Sequence, residues 1–161
     1  MPTRSVVIWT AAVVAMAALG FAVSGGFSES LRQHAFSWWP ASWNVRNGTS
    51  GGFSEGSLAI TAALVILGSV VVAPVVEEIY FRGFLLPRMP AGMGRLAAIA
   101  HCALFALYHL WTPWMFPTRA IAIVPLVYVF LHTKDLRIAT YAHSILNAVD
   151  AIAIIAFMVS R

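Results

Sequence analysis

The sequence predicts an all-α protein, a polytopic transmembrane helical bundle of about five spans. Three observations carry this. Of the 161 residues, 60% are apolar and only 10% are charged. The mean hydropathy of +0.82 lies well above that of soluble domains. Apolar runs of membrane-entering length also alternate with short polar links along the chain. A chain of this length supplies only a handful of spans, so one compact bundle without an added soluble domain is expected. The sequence pI of about 9.8 raises the question of nucleic acid. The ten Lys and Arg stand singly between apolar runs, however, and form no basic stripe, so no nucleic-acid partner is expected. Cys102, the lone cysteine, sits in an apolar run and reads as a small packing residue.

The first span covers Val6 to Val23, between Arg4 and Ser24-Gly25-Gly26. The pattern fits a signal anchor or a cleaved signal peptide; the length of the run and the lack of an A-x-A site favour a retained helix. Ser24 to Ser57 is the one sizeable polar stretch. Its Trp38, Trp39 and Trp43, around Pro40, suit the headgroup layer, and Asn44 to Ser57 reads as a flexible loop. The Asn47-Gly48-Thr49 sequon has meaning only in a secretory lumen. Residues 1–57 therefore form an N-terminal transmembrane helix with a tryptophan-rich interfacial loop, and 58–161 form the core.

The second span, Leu58 to Val76, runs into Glu77 and Glu78, and Pro74 should loosen its helix by removing one backbone donor. The third, Leu96 to Leu110, is short for a crossing. The fourth, Ala120 to Leu131, is shorter still and carries Pro125, so it is expected to be tilted, extended at one end or partly inserted. The fifth runs from Ile138 to Ser160. Alternation from a cytoplasmic N-terminus places Arg4, Arg88, Arg95, Lys134 and Arg137 inside and the paired glutamates at the cytoplasmic end of their span, with weak support from the positive-inside rule. The short third and fourth spans leave room for a partner subunit or a second copy.

Charges inside a bilayer cost on the order of 2.5 to 3.5 kcal/mol each, so Glu77, Glu78 and Arg82 within six residues demand a reason. Glu78 and Arg82, four apart, share a helix face and can pair; Glu77 is rotated about 100° away, which leaves it free for chemistry. His109 closes the third span. On the fifth, His143 and Asn147 share one stripe, with Asp150 a further turn along. Singly, each has a bland reading: a charge cluster at a helix end, an interfacial histidine, interhelical glue. A carboxylate, two histidines and an amide on three helices together meet the needs of peptide-bond hydrolysis, a base for water and donors for an oxyanion. The same groups are compatible with zinc, since Glu77, His109 and His143 can offer three ligands without an HExxH motif.

The ordered motifs Glu77-Glu78-x-x-x-Arg82, Phe105-x-x-x-His109 and His143-x-x-x-Asn147 resemble the CPBP family of intramembrane proteases, also called the Abi or CAAX amino-terminal protease family. The resemblance covers Leu58 to Ala156. It implies that Glu77 activates water with help from His109, that His143 and Asn147 bind the oxyanion, that Glu78 and Arg82 are structural support, and that no metal cofactor takes part. Asp150 lies outside the motifs and is expected to orient His143 or Asn147. The expectation is an intramembrane endopeptidase of a prokaryotic cytoplasmic membrane, cutting a membrane-inserted or membrane-surface peptide substrate. Two other readings use the same residues: a noncatalytic interaction or immunity protein, and a proton or ion pathway, which the lack of a paired repeat disfavours.

Overall fold

The computed structural model describes residues 1–40 and 54–159 and is built from helices. Trp43, the sequon and most of the polar stretch lie outside the described residues. Helix α1 spans Thr3–His34; α2 is a continuous helix over Glu55–Arg88; α3 covers Leu96–Tyr108. Pro113–Thr133 forms α4, and Leu136–Val159 forms α5. Four of these are long and apolar enough to cross a membrane, and α3 is a shorter apolar helix. The chain is an integral membrane protein.

Three boundaries differ from the sequence reading. Helix α1 runs past Gly25-Gly26 to His34 because its serines serve the packing and do not break the helix. The Ser24 hydroxyl donates to the Gly20 carbonyl. Thr118 of α4 donates to the Ser24 carbonyl at 3.0 Å and lies 2.6 Å from the Ser28 hydroxyl. Hydrogen bonds of this kind between helices in a membrane are worth roughly 0.6 kcal/mol each. Gly20 lets the backbones meet, since a Cβ there would lie 3.1 Å from the Ala122 Cα.

Helix α2 does not stop at Val76 but continues through the charged motif to Arg88. The glutamates therefore sit inside the helix rather than at its end. As Pro74 implied, the helix is altered nearby: Ile66–Val72 and Ile79–Leu85 wind as π-helix on either side of Ala73–Glu78. Helix α4 extends N-terminally to Pro113, which gives it full crossing length. Its prolines are tolerated because Pro113, Pro117 and Pro125 each sit in the first turn of a helical segment, where no backbone donor is lost.

Helix α1 packs on α4 and α5, α3 packs on α4, and the first two thirds of α2 lean on α5. A shared core collects Val13 of α1, Phe81 of α2, Cys102 and Phe105 of α3, Val127 and Phe130 of α4, and Ile138 and Ala142 of α5. Near the start of α5, Arg137 donates to the Met1 carbonyl and Asp135 meets the Met1 amino group at 3.5 Å, which ties the start of α1 to the α4–α5 turn. The outer face of α2, with Ile60, Leu64, Leu67, Val71 and Val76, is left apolar and exposed, as a lipid-facing surface requires.

Candidate active site

The site is assembled around His143, roughly 10 Å into α5 at 1.5 Å per residue. Its Nδ1 lies 2.9 Å from Glu78 Oε1. A carboxylate only accepts, so Nδ1 carries the proton and donates it. The other ring nitrogen, Nε2, faces Glu77 Oε2 at 3.9 Å, beyond hydrogen-bond range. The rotation between the neighbouring glutamates does not separate them as the sequence alone implied, because one imidazole spans both.

Glu78 is fully buried and also holds Arg82, whose Nη1 donates to the same Oε1 at 3.0 Å. The expected brace is present, with His143 as its third member. The buried guanidinium lies 4.5 Å over the Phe105 ring, a cation–π contact in a dry setting. That ring also lies 4.9 Å from His109 and 5.8 Å from His143, so Phe105 is the apolar wedge between both histidines and the arginine. His109 donates Nδ1–H to the Phe105 carbonyl at 2.9 Å. In the neutral ring, Nε2 is then an acceptor, able to take a proton.

Asn147 lies one turn beyond His143. Its Nδ2 donates to the Ser69 carbonyl of α2 at 2.8 Å. Asn147, His109, His143 and Phe105 line a cavity of about 90 Å³, together with Ala17 and Phe21 of α1 and Ile123 and Leu126 of α4. Glu77 is not among the lining residues; it lies 3.9 Å from the Nε2 of His143, which is one of them. A larger chamber of about 370 Å³ lies on another side of His109, lined by apolar residues that include Leu31, Phe36, Leu107 and Phe116.

Two polar residues that the motifs do not reach belong here. Arg119 of α4 lines the small cavity, donates to the Thr112 carbonyl at 3.3 Å and lies within electrostatic range of Asp150 and Glu77. In sequence it resembles a flanking charge; its only signal is that it lies beside the apolar run from Ala120, which extends backward past it. Asp150 thus has an electrostatic neighbour in Arg119, while the hydrogen bonds of His143 and Asn147 named above go to Glu78 and Ser69. His101 of α3 is fully buried and donates Nε2–H to the Phe81 carbonyl at 2.9 Å, which links α3 to the motif helix. A polar residue inside an otherwise apolar run was its signal.

Among the described residues, no three His, Cys, Asp or Glu side chains come together as a metal-binding group.

Neither the curated proteins nor the solved structures contained a match to the chain. A family model, described as type II CAAX prenyl endopeptidase Rce1-like, matches residues 59–149, more than half of the sequence. That stretch holds every motif residue from Glu77 to Asn147, and the chain belongs to this Rce1-like family of CAAX-type endopeptidases.

Proposed function

We propose that the chain is an intramembrane endopeptidase that hydrolyses a peptide bond of a membrane-associated protein with glutamate-activated water and without a metal ion. The observation that carries this is the placement of His143. It lines the same cavity as His109 and Asn147 while its two ring nitrogens face Glu78 and Glu77. In the reaction, Glu77 takes a proton from water as the water oxygen bonds to the scissile carbonyl carbon. The carbonyl π electrons move to oxygen, and the oxyanion is bound by an Nδ2–H of Asn147 and by the His143 ring. Collapse breaks the C–N bond, and the proton held by Glu77, passed directly or through His109 Nε2, goes to the leaving amine. The chamber beside His109 has the apolar lining and the size to accept an apolar substrate group.

The test is cleavage of a library of membrane-anchored peptides by the reconstituted protein, with and without chelator. Glu77→Gln is isosteric and should lower kcat by at least about 10³-fold while the fold is retained, as expected on loss of a catalytic base coupled to the chemistry. Equal rates for Glu77→Gln and wild type, a rate lost to chelator alone, or no cleavage by the wild type would overturn the reading.

A further inference from the structure

We propose that Pro74 is a positioning residue for the site, acting through the Ser69 carbonyl to hold and orient Asn147. The argument is an accounting of backbone donors. Ile66–Val72 winds as π-helix, and the N–H of Ala73 bonds to the Gly68 carbonyl, five residues back. In an α-helix that N–H would have served Ser69. In the π register the donor to Ser69 is residue 74, which is a proline and has no N–H. Both ordinary helical donors to Ser69 are therefore absent, on an exposed part of α2 at membrane depth where an unsatisfied carbonyl is costly. Asn147 Nδ2 supplies the missing hydrogen bond at 2.8 Å from α5.

The consequence reaches the cavity. A carbonyl accepts only a donor, so the Asn147 amide is held with nitrogen toward Ser69. One N–H is engaged there, and the second is fixed relative to His143, one turn earlier on the same helix. An amide free to flip would present oxygen, an acceptor, to the cavity half of the time and could not serve an oxyanion in that state. Pro74, three residues before Glu77, thus sets the helix that carries the base and also the orientation of a donor on another helix.

The kinetic part rests on the protease reading above; the structural part does not. Pro74→Ala restores an N–H at position 74, is compatible with a helix and should fold. It should return the Ser69 carbonyl to the helix and release Asn147. The first readout is the side-chain amide resonance pair of Asn147 in detergent micelles, assigned by its disappearance in Asn147→Asp. Pro74→Ala should shift the pair and speed its hydrogen exchange. The second readout is kinetic. Pro74→Ala should lower kcat about 10- to 100-fold, a typical cost of a misplaced group, with KM within about twofold. In an Asn147→Ala background the same change should have no further effect on kcat. An unmoved Asn147 resonance, or losses that add in the double variant, would overturn the proposal. If the wild type cleaves no peptide, the protease reading fails, and the resonance alone decides the role of Pro74.

Discussion

Glu78 and Arg82 are both fully buried and 3.0 Å apart, so the energetics of this pair can be tested by removing one charge and then both. At that separation the attraction is about 5 to 6 kcal/mol with an effective dielectric of about 20, set against a desolvation cost of several kcal/mol for each ion. Arg82→Met leaves the Glu78 carboxylate buried with His143 as its remaining donor. The expected loss is about 3 kcal/mol, the low end for a broken buried pair, because the 2.9 Å bond from His143 survives. Glu78→Met leaves an uncompensated guanidinium over the Phe105 ring and should cost more, up to about 5 kcal/mol. The double variant removes both charges and both desolvation penalties, and should return to within about 1 kcal/mol of wild type. Its activity should stay low, because the Nδ1–H of His143 has lost its acceptor and the ring its orientation. Reversible unfolding in mixed micelles gives the stabilities, and peptide cleavage gives the rates. A loss below about 1 kcal/mol in both single variants would refute the claim that the pair is buried and coupled. A double variant as unstable as the worse single variant would refute the desolvation argument, and a fully active one would refute the role of Glu78 in orienting His143.

Two further outcomes follow from the packing and the charges. Gly20→Leu must push α1 away from α4, because even its Cβ would stand 3.1 Å from the Ala122 backbone; the expected cost is about 1 to 3 kcal/mol in the same unfolding assay, and an unchanged stability would show that the crossing is loose. At the α4–α5 turn, hydrogen bonds from the Arg137 side chain hold the Asp135 carboxyl well below the usual range for an aspartate. A depressed folded-state value means that the stabilisation is full above the unfolded value near pH 4 and is lost as pH falls through the folded value. Stability profiles should therefore show wild type exceeding Asp135→Asn at pH 6, with the gap closing below about pH 4; a gap that is constant with pH would exclude the linkage.

Much of this architecture was legible in the sequence because hydropathy reports what faces lipid. All five spans are present as helices, and α3 is short as expected. The misjudged boundaries share one cause: a window of apolar residues ends wherever a polar residue appears, whereas a helix ends only where its backbone must. Ser24 and Ser28 continue α1 because their hydroxyls are engaged in or across the helix. Glu77, Glu78 and Arg82 continue α2 because the buried charges find one another and His143. Pro113 and Pro117 begin segments of α4 and do not end it. At the site, spacing within one helix was sufficient to pair Glu78 with Arg82. Spacing carries no information across helices, so the place of Arg119 at the cavity, the His101 bond to the Phe81 carbonyl and the Asn147 bond to Ser69 were visible only in three dimensions.

Spacing alone also could not rank the two adjacent glutamates as the base, and the geometry supplies a physical criterion. A base must exchange protons with water and then with a leaving amine, so its carboxylate needs access and must not be committed to fixed partners. Glu78 meets neither condition: it is 0% exposed, and one of its oxygens receives both Arg82 and His143. Glu77 is 12% exposed, its Oε2 has no hydrogen-bond partner among the described residues, and it faces the far nitrogen of the ring that Glu78 holds at 3.9 Å. Exchanging the roles would require Glu78 to leave Arg82 as an unpaired buried cation in each turnover, a penalty of several kcal/mol added to every barrier. Glu77 can gain and lose a proton while that pair stays intact. On the proposed mechanism the adjacent carboxylates divide into one that fixes His143 and one left to react beside it, so Glu77→Gln should abolish turnover with little change in stability while Glu78→Gln should impair both.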